Sequence, residues 1–139
     1  MRETIGVIGL GRMGFAMTET LLREGFTIFV YDVLPTARER AGSIGASVAD
    51  NLPALFSEAR IVVSSLPLGA DVEAIVAGKG GLLASAPEPG TLLVDTSTSE
   101  PATGARMVTV SVRQSSRRSV ALHASPIDRT TRILRSSAT

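Results

Sequence analysis

Three glycines at positions 9, 11 and 14, directly after a short apolar run, restrict this chain more than any other feature of it. The run, Thr4 to Ile8, is β-branched and uncharged, which suits a strand covered on both faces. After the glycines, Met13, Met17, Leu21 and Leu22 recur at helical spacing as far as Arg23 and Glu24, and Gly25 is placed to cap the helix end. A strand that turns through glycines into a helix leaves unpaired backbone N–H groups at the positive end of the helix dipole. Each glycine has a duty in such a turn. The first permits the tight exit from the strand, the second lets a ligand approach the backbone, and the third packs helix against sheet. The spacing is the G-x-G-x-x-G pattern by which a helix N-terminus, here near Arg12, takes the pyrophosphate of a dinucleotide.

The residues beyond this first helix add weight to the pattern. Thr27 to Tyr31 reads as a second strand, Pro35 to Ala41 as a helix with proline in its first turn, and Ala46 to Val48 as a short edge strand. Asp50 or Asn51 can cap a helix running to about Glu58, Arg60 to Ser65 is another apolar strand, and Ala70 to Ala77 a further helix before the Gly78 to Gly81 break. Thr91 to Asp95 is the fifth strand. Strands alternating with helices predict α/β architecture: a Rossmann-type doubly wound parallel sheet with helices on both sides.

Asp32 ends the second strand, 18 residues after Gly14. A carboxylate there can accept hydrogen bonds from adenosine ribose hydroxyls and repel a 2′-phosphate, which favours NAD over NADP. The structural alternative is that Asp32 caps the turn before Pro35.

Composition narrows the chemistry. The chain has no cysteine and a single histidine, His123, which argues against a metal site and a thiolate nucleophile. No apolar run is long enough to span a bilayer, so a cytoplasmic protein without membrane attachment is expected. Charge divides unevenly. Residues 1–110 hold 8 basic and 12 acidic groups, whereas residues 111–139 hold 6 and 1. All 13 glycines fall at or before Gly104, and the last 29 residues contain seven serines and six arginines. A cofactor-binding domain over 1–107 and a basic Ser/Arg-rich tail over 108–139 are therefore expected.

Several further motifs occur in order: Ile8-Gly9-Leu10-Gly11-Arg12-Met13-Gly14, Tyr31-Asp32, Ser65-Leu66-Pro67, Pro89-Gly90-Thr91 and Asp95-Thr96-Ser97-Thr98. Together they resemble the β-hydroxyacid dehydrogenase family, which includes 3-hydroxyisobutyrate dehydrogenases and tartronate semialdehyde reductases and is related to 6-phosphogluconate dehydrogenase. The likeness covers residues 4 to about 107. It implies that Leu10, Arg12 and Met13 join the three glycines around the cofactor, that Leu66 and Pro67 line the cleft, and that Asp71 makes another cofactor contact. It also implies that Ser97 and Thr98 lie beside nicotinamide and substrate. Read without the family, Leu66-Pro67 is a strand-to-helix turn, and Ser97 and Thr98 can cap a helix beginning near Glu100.

The resemblance also marks departures. Ala16-Met17 and Thr20 replace residues common in the family. The Ser-Gly-Gly substrate loop and the helical domain with the catalytic lysine and asparagine have no counterpart in these 139 residues. The one lysine, Lys79, lies in the Gly78 to Gly81 loop, so no catalytic residue is assigned. The chain therefore reads as the cofactor half of such an oxidoreductase. A non-catalytic NAD-binding or interaction module with a basic tail is the alternative.

In the tail, Pro101 to Val108 is compatible with a short helix, Val108, Val110 and Val112 alternate like a strand, and from Arg113 onward no period is expected to persist. Six scattered arginines without an aromatic residue give a poor nucleic-acid surface. A shifted reading frame or gene truncation accounts better for the simultaneous loss of glycine and family motifs. The sheet edge left without a sixth strand is a route to self-association.

Overall fold

The structure, a computed structural model, describes residues 3–82, 84–85, 87–88, 90–96, 107–115 and 117–125. The first apolar run forms β1 (Thr4–Ile8), hydrogen-bonded in parallel to β2 (Thr27–Tyr31) on one edge and β4 (Ile61–Ser64) on the other. With both edges paired and both faces covered, β1 has no surface for polar side chains. Every residue from Ile5 to Ile8 is buried. β3 (Ser47–Val48) extends the sheet beyond β2, and β5 (Leu92–Asp95) extends it beyond β4, both in parallel. With β6 (Met107–Ser115) and β7 (Arg117–Ser125) the strand order is β3-β2-β1-β4-β5-β6-β7, so the chain winds outward in one direction from β1 and then in the other. The first five strands thus form the expected Rossmann-type doubly wound sheet.

Helices α1 (Arg12–Arg23) and α2 (Pro35–Ser43) cover one face, where Val7, Phe15, Ile28, Val30 and Ala41 form a core with Leu21 and Leu22 at its margin. Helices α3 (Leu52–Glu58) and α4 (Gly69–Ala77) cover the other, over Ile8, Leu55, Phe56, Val62, Ile75 and Leu93. The helix ends are set by local chemistry. The Asn51 side chain accepts from the Ala54 N–H at 2.8 Å, and Gly25, at φ +86°, lies one residue beyond the cap residue Glu24 of α1. α2 runs two residues past its expected end at Ala41, whereas β4 stops short of the expected Arg60–Ser65 span. No helix among the described residues is long and apolar enough to cross a membrane.

The segment past residue 107 corrects the sequence expectation. Instead of losing order from Arg113, the chain forms β6 (Met107–Ser115), antiparallel to β5, and β7 (Arg117–Ser125), antiparallel to β6. Val108, compatible both with the end of a short helix and with the start of an alternating strand, belongs to β6; the rest of that helix reading, 101–106, lies outside the described residues. The register supplies the reason. Val108 pairs with Ala124, Val110 with Leu122 and Val112 with Val120, so the alternation noted in the first three residues is answered by a second set. Arginines and serines at the intervening positions hide this period when the tail is judged by composition. The outer edge of β5, expected to be bare, is covered by β6.

Gly6 sets how closely α3 approaches the sheet: a Cβ there would stand 2.7 Å from Leu55 Cδ2 and 3.2 Å from both Ala59 Cβ and Val62 Cγ2. Gly6→Val is expected to destabilise the chain by about 1–3 kcal/mol through overpacking, read from the urea midpoint.

Candidate functional site

The chain reverses its direction of winding between β1 and β4, so the carboxyl ends of these two neighbouring strands lie at the switch point of the sheet. Crevices at such points are where open α/β sheets take ligands. The glycine turn lies at that point. Gly9 sits at φ +90°, a region closed to most residues, and donates its N–H to the Tyr31 carbonyl at 3.0 Å. A Cβ on Gly9 would fall on the Ser65 carbonyl oxygen, and one on Gly14 would fall on the Gly9 carbonyl oxygen. These two glycines are required by the protein's own backbone, which packs strand, turn and helix at van der Waals limits.

Gly11 differs. Its φ of −66° and ψ of −163° are open to any residue, and a Cβ would meet nothing within 4 Å. No neighbour among the described residues accounts for its bareness, and the space beside it is available to a ligand. Gly11 is also the N-cap of α1, without a side-chain cap, and the first turn of the helix holds no acidic residue. The first intrahelical bond runs from Phe15 N–H to the Gly11 carbonyl at 2.9 Å, so the earlier N–H groups of the helix have no partner in its own ladder. A bare glycine at an uncapped helix start fits a phosphate group.

Asp32, at the end of β2, is half-buried and uses both carboxylate oxygens. Oδ2 accepts from the Leu10 N–H at 2.7 Å and Oδ1 from the Leu34 N–H at 2.9 Å. The turn-capping alternative raised by the sequence is therefore realised, and the other oxygen additionally ties the glycine loop. Each oxygen keeps acceptor capacity for a further donor. The Asp32 carbonyl accepts from an Arg38 guanidinium N–H at 3.2 Å, and Arg38 lies over the Tyr31 ring at 5.7 Å.

The other residues singled out by the sequence are spread around the crevice. Leu10 is buried and its side chain belongs to the core beneath the loop, so its backbone is the part at the site. Arg12 and Met13 are exposed at the start of α1. Leu66 is half-buried against the core, Pro67 is exposed, and Asp71 lies in the first turn of α4. Ser97 and Thr98 lie outside the described residues. Lys79 is exposed after α4, and His123 is on β7 in register with Thr109.

One arrangement was not expected from the sequence. Ser64, fully buried, donates its hydroxyl to Asp95 Oδ1 at 2.8 Å, and the Ser64 carbonyl accepts both the N–H and the hydroxyl of Thr96 at 2.8 and 2.9 Å. This polar knot fixes the carboxyl end of β5 against that of β4. Its available signal was a polar residue closing each of two apolar strands.

A family profile described as the NAD binding domain of 6-phosphogluconate dehydrogenase matches residues 4–125, past the boundary expected at 107 and as far as the end of β7. A Dictyostelium discoideum protein named probable mitochondrial 3-hydroxyisobutyrate dehydrogenase is 32% identical over 114 residues, which span 82% of this chain and 35% of that protein. The 2-(hydroxymethyl)glutarate dehydrogenase of Eubacterium barkeri is 34% identical over 110 residues, 79% of this chain and 36% of the relative. The chain thus spans about a third of the length of these curated relatives. Among solved structures, the Mycobacterium tuberculosis 3-hydroxyisobutyrate dehydrogenase with L-serine superposes with a TM-score of 0.63 at 35% identity, covering 70% of this chain and 32% of that one. An imine reductase variant from Myxococcus stipitatus in complex with NAD+ gives 0.65 at 26% identity, covering 73% and 34%.

The contrast between the glycines is measurable. Gly14→Ala is expected to cost about 2 kcal/mol or more, because backbone must move, whereas Gly11→Ala costs less than about 1 kcal/mol, the loss of a modest cap preference. Denaturant titration of the ligand-free variants reads the difference.

Proposed function

This chain belongs to the family of NAD-binding domains represented by that of 6-phosphogluconate dehydrogenase, and from that premise we propose that it holds NAD, in preference to NADP, across the carboxyl ends of β1, β2 and β4. The observation that carries the reading is Gly11, bare beside open space at an uncapped helix start. The pyrophosphate lies there, on backbone donors of Gly11, Arg12, Met13 and Gly14, with the Arg12 side chain adding positive charge. Gly9 and Leu10 shape the turn beneath it.

Asp32 accepts from the adenosine ribose hydroxyls and repels a 2′-phosphate. The next residues, Val33 to Thr36, include no cation, and Arg38 bonds back to the Asp32 carbonyl. Four large apolar side chains stand exposed on segments at this end of the sheet: Met13, Val33, Leu34 and Leu68. Val33 and Leu34 give the adenine an apolar surface that would otherwise stay in water. Leu66, Pro67 and Asp71 border the middle of the cleft, and the nicotinamide and substrate contacts are assigned to Ser97 and Thr98.

The reaction served is that of a hydroxyacid dehydrogenase-like oxidoreductase, in which the bound nicotinamide exchanges hydride with the hydroxyl-bearing carbon of a small 3-hydroxy acid. We assign this chain's residues the holding of the cofactor and assign no residue among its 139 the proton transfer. Lys79, the single lysine, is exposed in the loop after α4. The protein acts in the cytoplasm, away from membranes and nucleic acid. With β5 covered, self-association would use the outer edge of β7.

Calorimetric titration is expected to show NAD binding about tenfold or more tighter than NADP, the scale of one repelled charge at a partly solvated site. Absence of NAD binding would overturn the reading. Gly11→Val is expected to weaken NAD by at least roughly tenfold while the fold persists, since the obstruction falls on ligand space.

A further inference from the structure

The bonds of Asp32 point beyond a ribose contact. The segment between β1 and α1 contains two glycines in three residues, so the unfolded loop rotates freely and ordering it is costly in entropy. Gly9 is held by its close packing against Ser65 and Gly14 and by its N–H on the Tyr31 carbonyl at 3.0 Å, and the Gly11 carbonyl accepts from Phe15 N–H at 2.9 Å; between them, Leu10 is held by its buried side chain and by its N–H on Asp32 Oδ2 at 2.7 Å. The last involves an ionised acceptor and is the short, strong kind. Asp32 is itself anchored, because its Oδ1 takes the N–H of Leu34, the N-cap residue of α2, and its carbonyl takes an Arg38 N–H.

We infer that Asp32 is a positioning residue for the pyrophosphate site: through the Leu10 N–H it holds the glycine loop in its binding conformation before any cofactor arrives. The inference rests on the proposed NAD site but concerns a different part of the ligand. The tie joins the loop after β1 to the turn between β2 and α2, so the loop that receives phosphate is set by a residue assigned to sugar. Its consequence has a sign opposite to simple electrostatics. Removing a negative charge beside an anion site should by itself strengthen anion binding, whereas losing the tie lets the loop wander and weakens it.

Two measurements on the full chain test this, with Asp32→Ala and Asp32→Asn. An amide side chain has one acceptor oxygen, so asparagine can satisfy at most one of the two N–H groups well. In the ligand-free protein, hydrogen exchange of the Leu10 amide is expected to speed up roughly tenfold or more in Asp32→Ala and by a smaller factor in Asp32→Asn. The Val7 and Val30 amides, deep in β1 and β2, are expected to stay within about twofold of wild type, reporting an intact sheet. Inorganic pyrophosphate, which has no ribose, is then titrated while the amide resonances of Gly11, Arg12 and Met13 are monitored. Its affinity is expected to fall by about threefold or more in Asp32→Ala. Unchanged Leu10 exchange, or tighter pyrophosphate binding, overturns the inference. Failure of the wild-type chain to bind NAD would sink the proposed function instead, and the exchange result, taken without ligand, would stand apart from it.

Discussion

The closeness of three backbone segments governs this structure. The Gly9 carbonyl lies where a Cβ of Gly14 would be, and the Ser65 carbonyl lies where a Cβ of Gly9 would be. Strand β1, strand β4 and helix α1 therefore meet at a point with no room for side chains. That meeting point is also where the sheet reverses its winding. Packing that tight brings the start of α1 over the carboxyl edge of the sheet and leaves its unpaired N–H groups beside open space. The same contact that closes the fold thus creates the proposed anion site, and the glycine between the two constrained ones, Gly11, is the one the fold itself does not need to be glycine.

Around that point the polar groups continue the arrangement. Asp32 ties the loop to the turn after β2, and Ser64 with Asp95 and Thr96 ties β4 to β5. Both knots lie at the carboxyl edge, where strands end and backbone groups would otherwise lack partners. Below them the sheet is apolar on both faces, and Gly6 lets α3 settle against it. The packed part of the molecule is thereby placed under the part proposed to receive ligand, which is the arrangement that holds a site to its geometry.

Much of this was legible in the residues. The apolar run of β1, the glycines, the helical spacing of Met13, Met17, Leu21 and Leu22, and the polar caps specify local structure directly, and the alternation of strand and helix then limits the topology. Asp32 was legible as an acceptor, but its bond to Leu10 was not, because that contact joins residues 22 apart through a crossover. Ser64 and Asp95, separated by 31 positions, escaped for the same reason. The β6–β7 hairpin was legible only in the alternation of Val108, Val110 and Val112: polar residues between the apolar ones lowered the apparent hydrophobicity of two strands whose apolar residues pair only when the register is known. Composition described the average of two faces that differ.

The central claim is that the space beside Gly11 receives the pyrophosphate of NAD. The direct measurement is amide chemical-shift mapping of the isotopically labelled chain during titration with NAD. The largest changes are expected at Gly11, Arg12, Met13 and Gly14, with Ser47 and Val48 at the far edge of the sheet unmoved. Changes confined to other parts of the chain, or none at all, would contradict it.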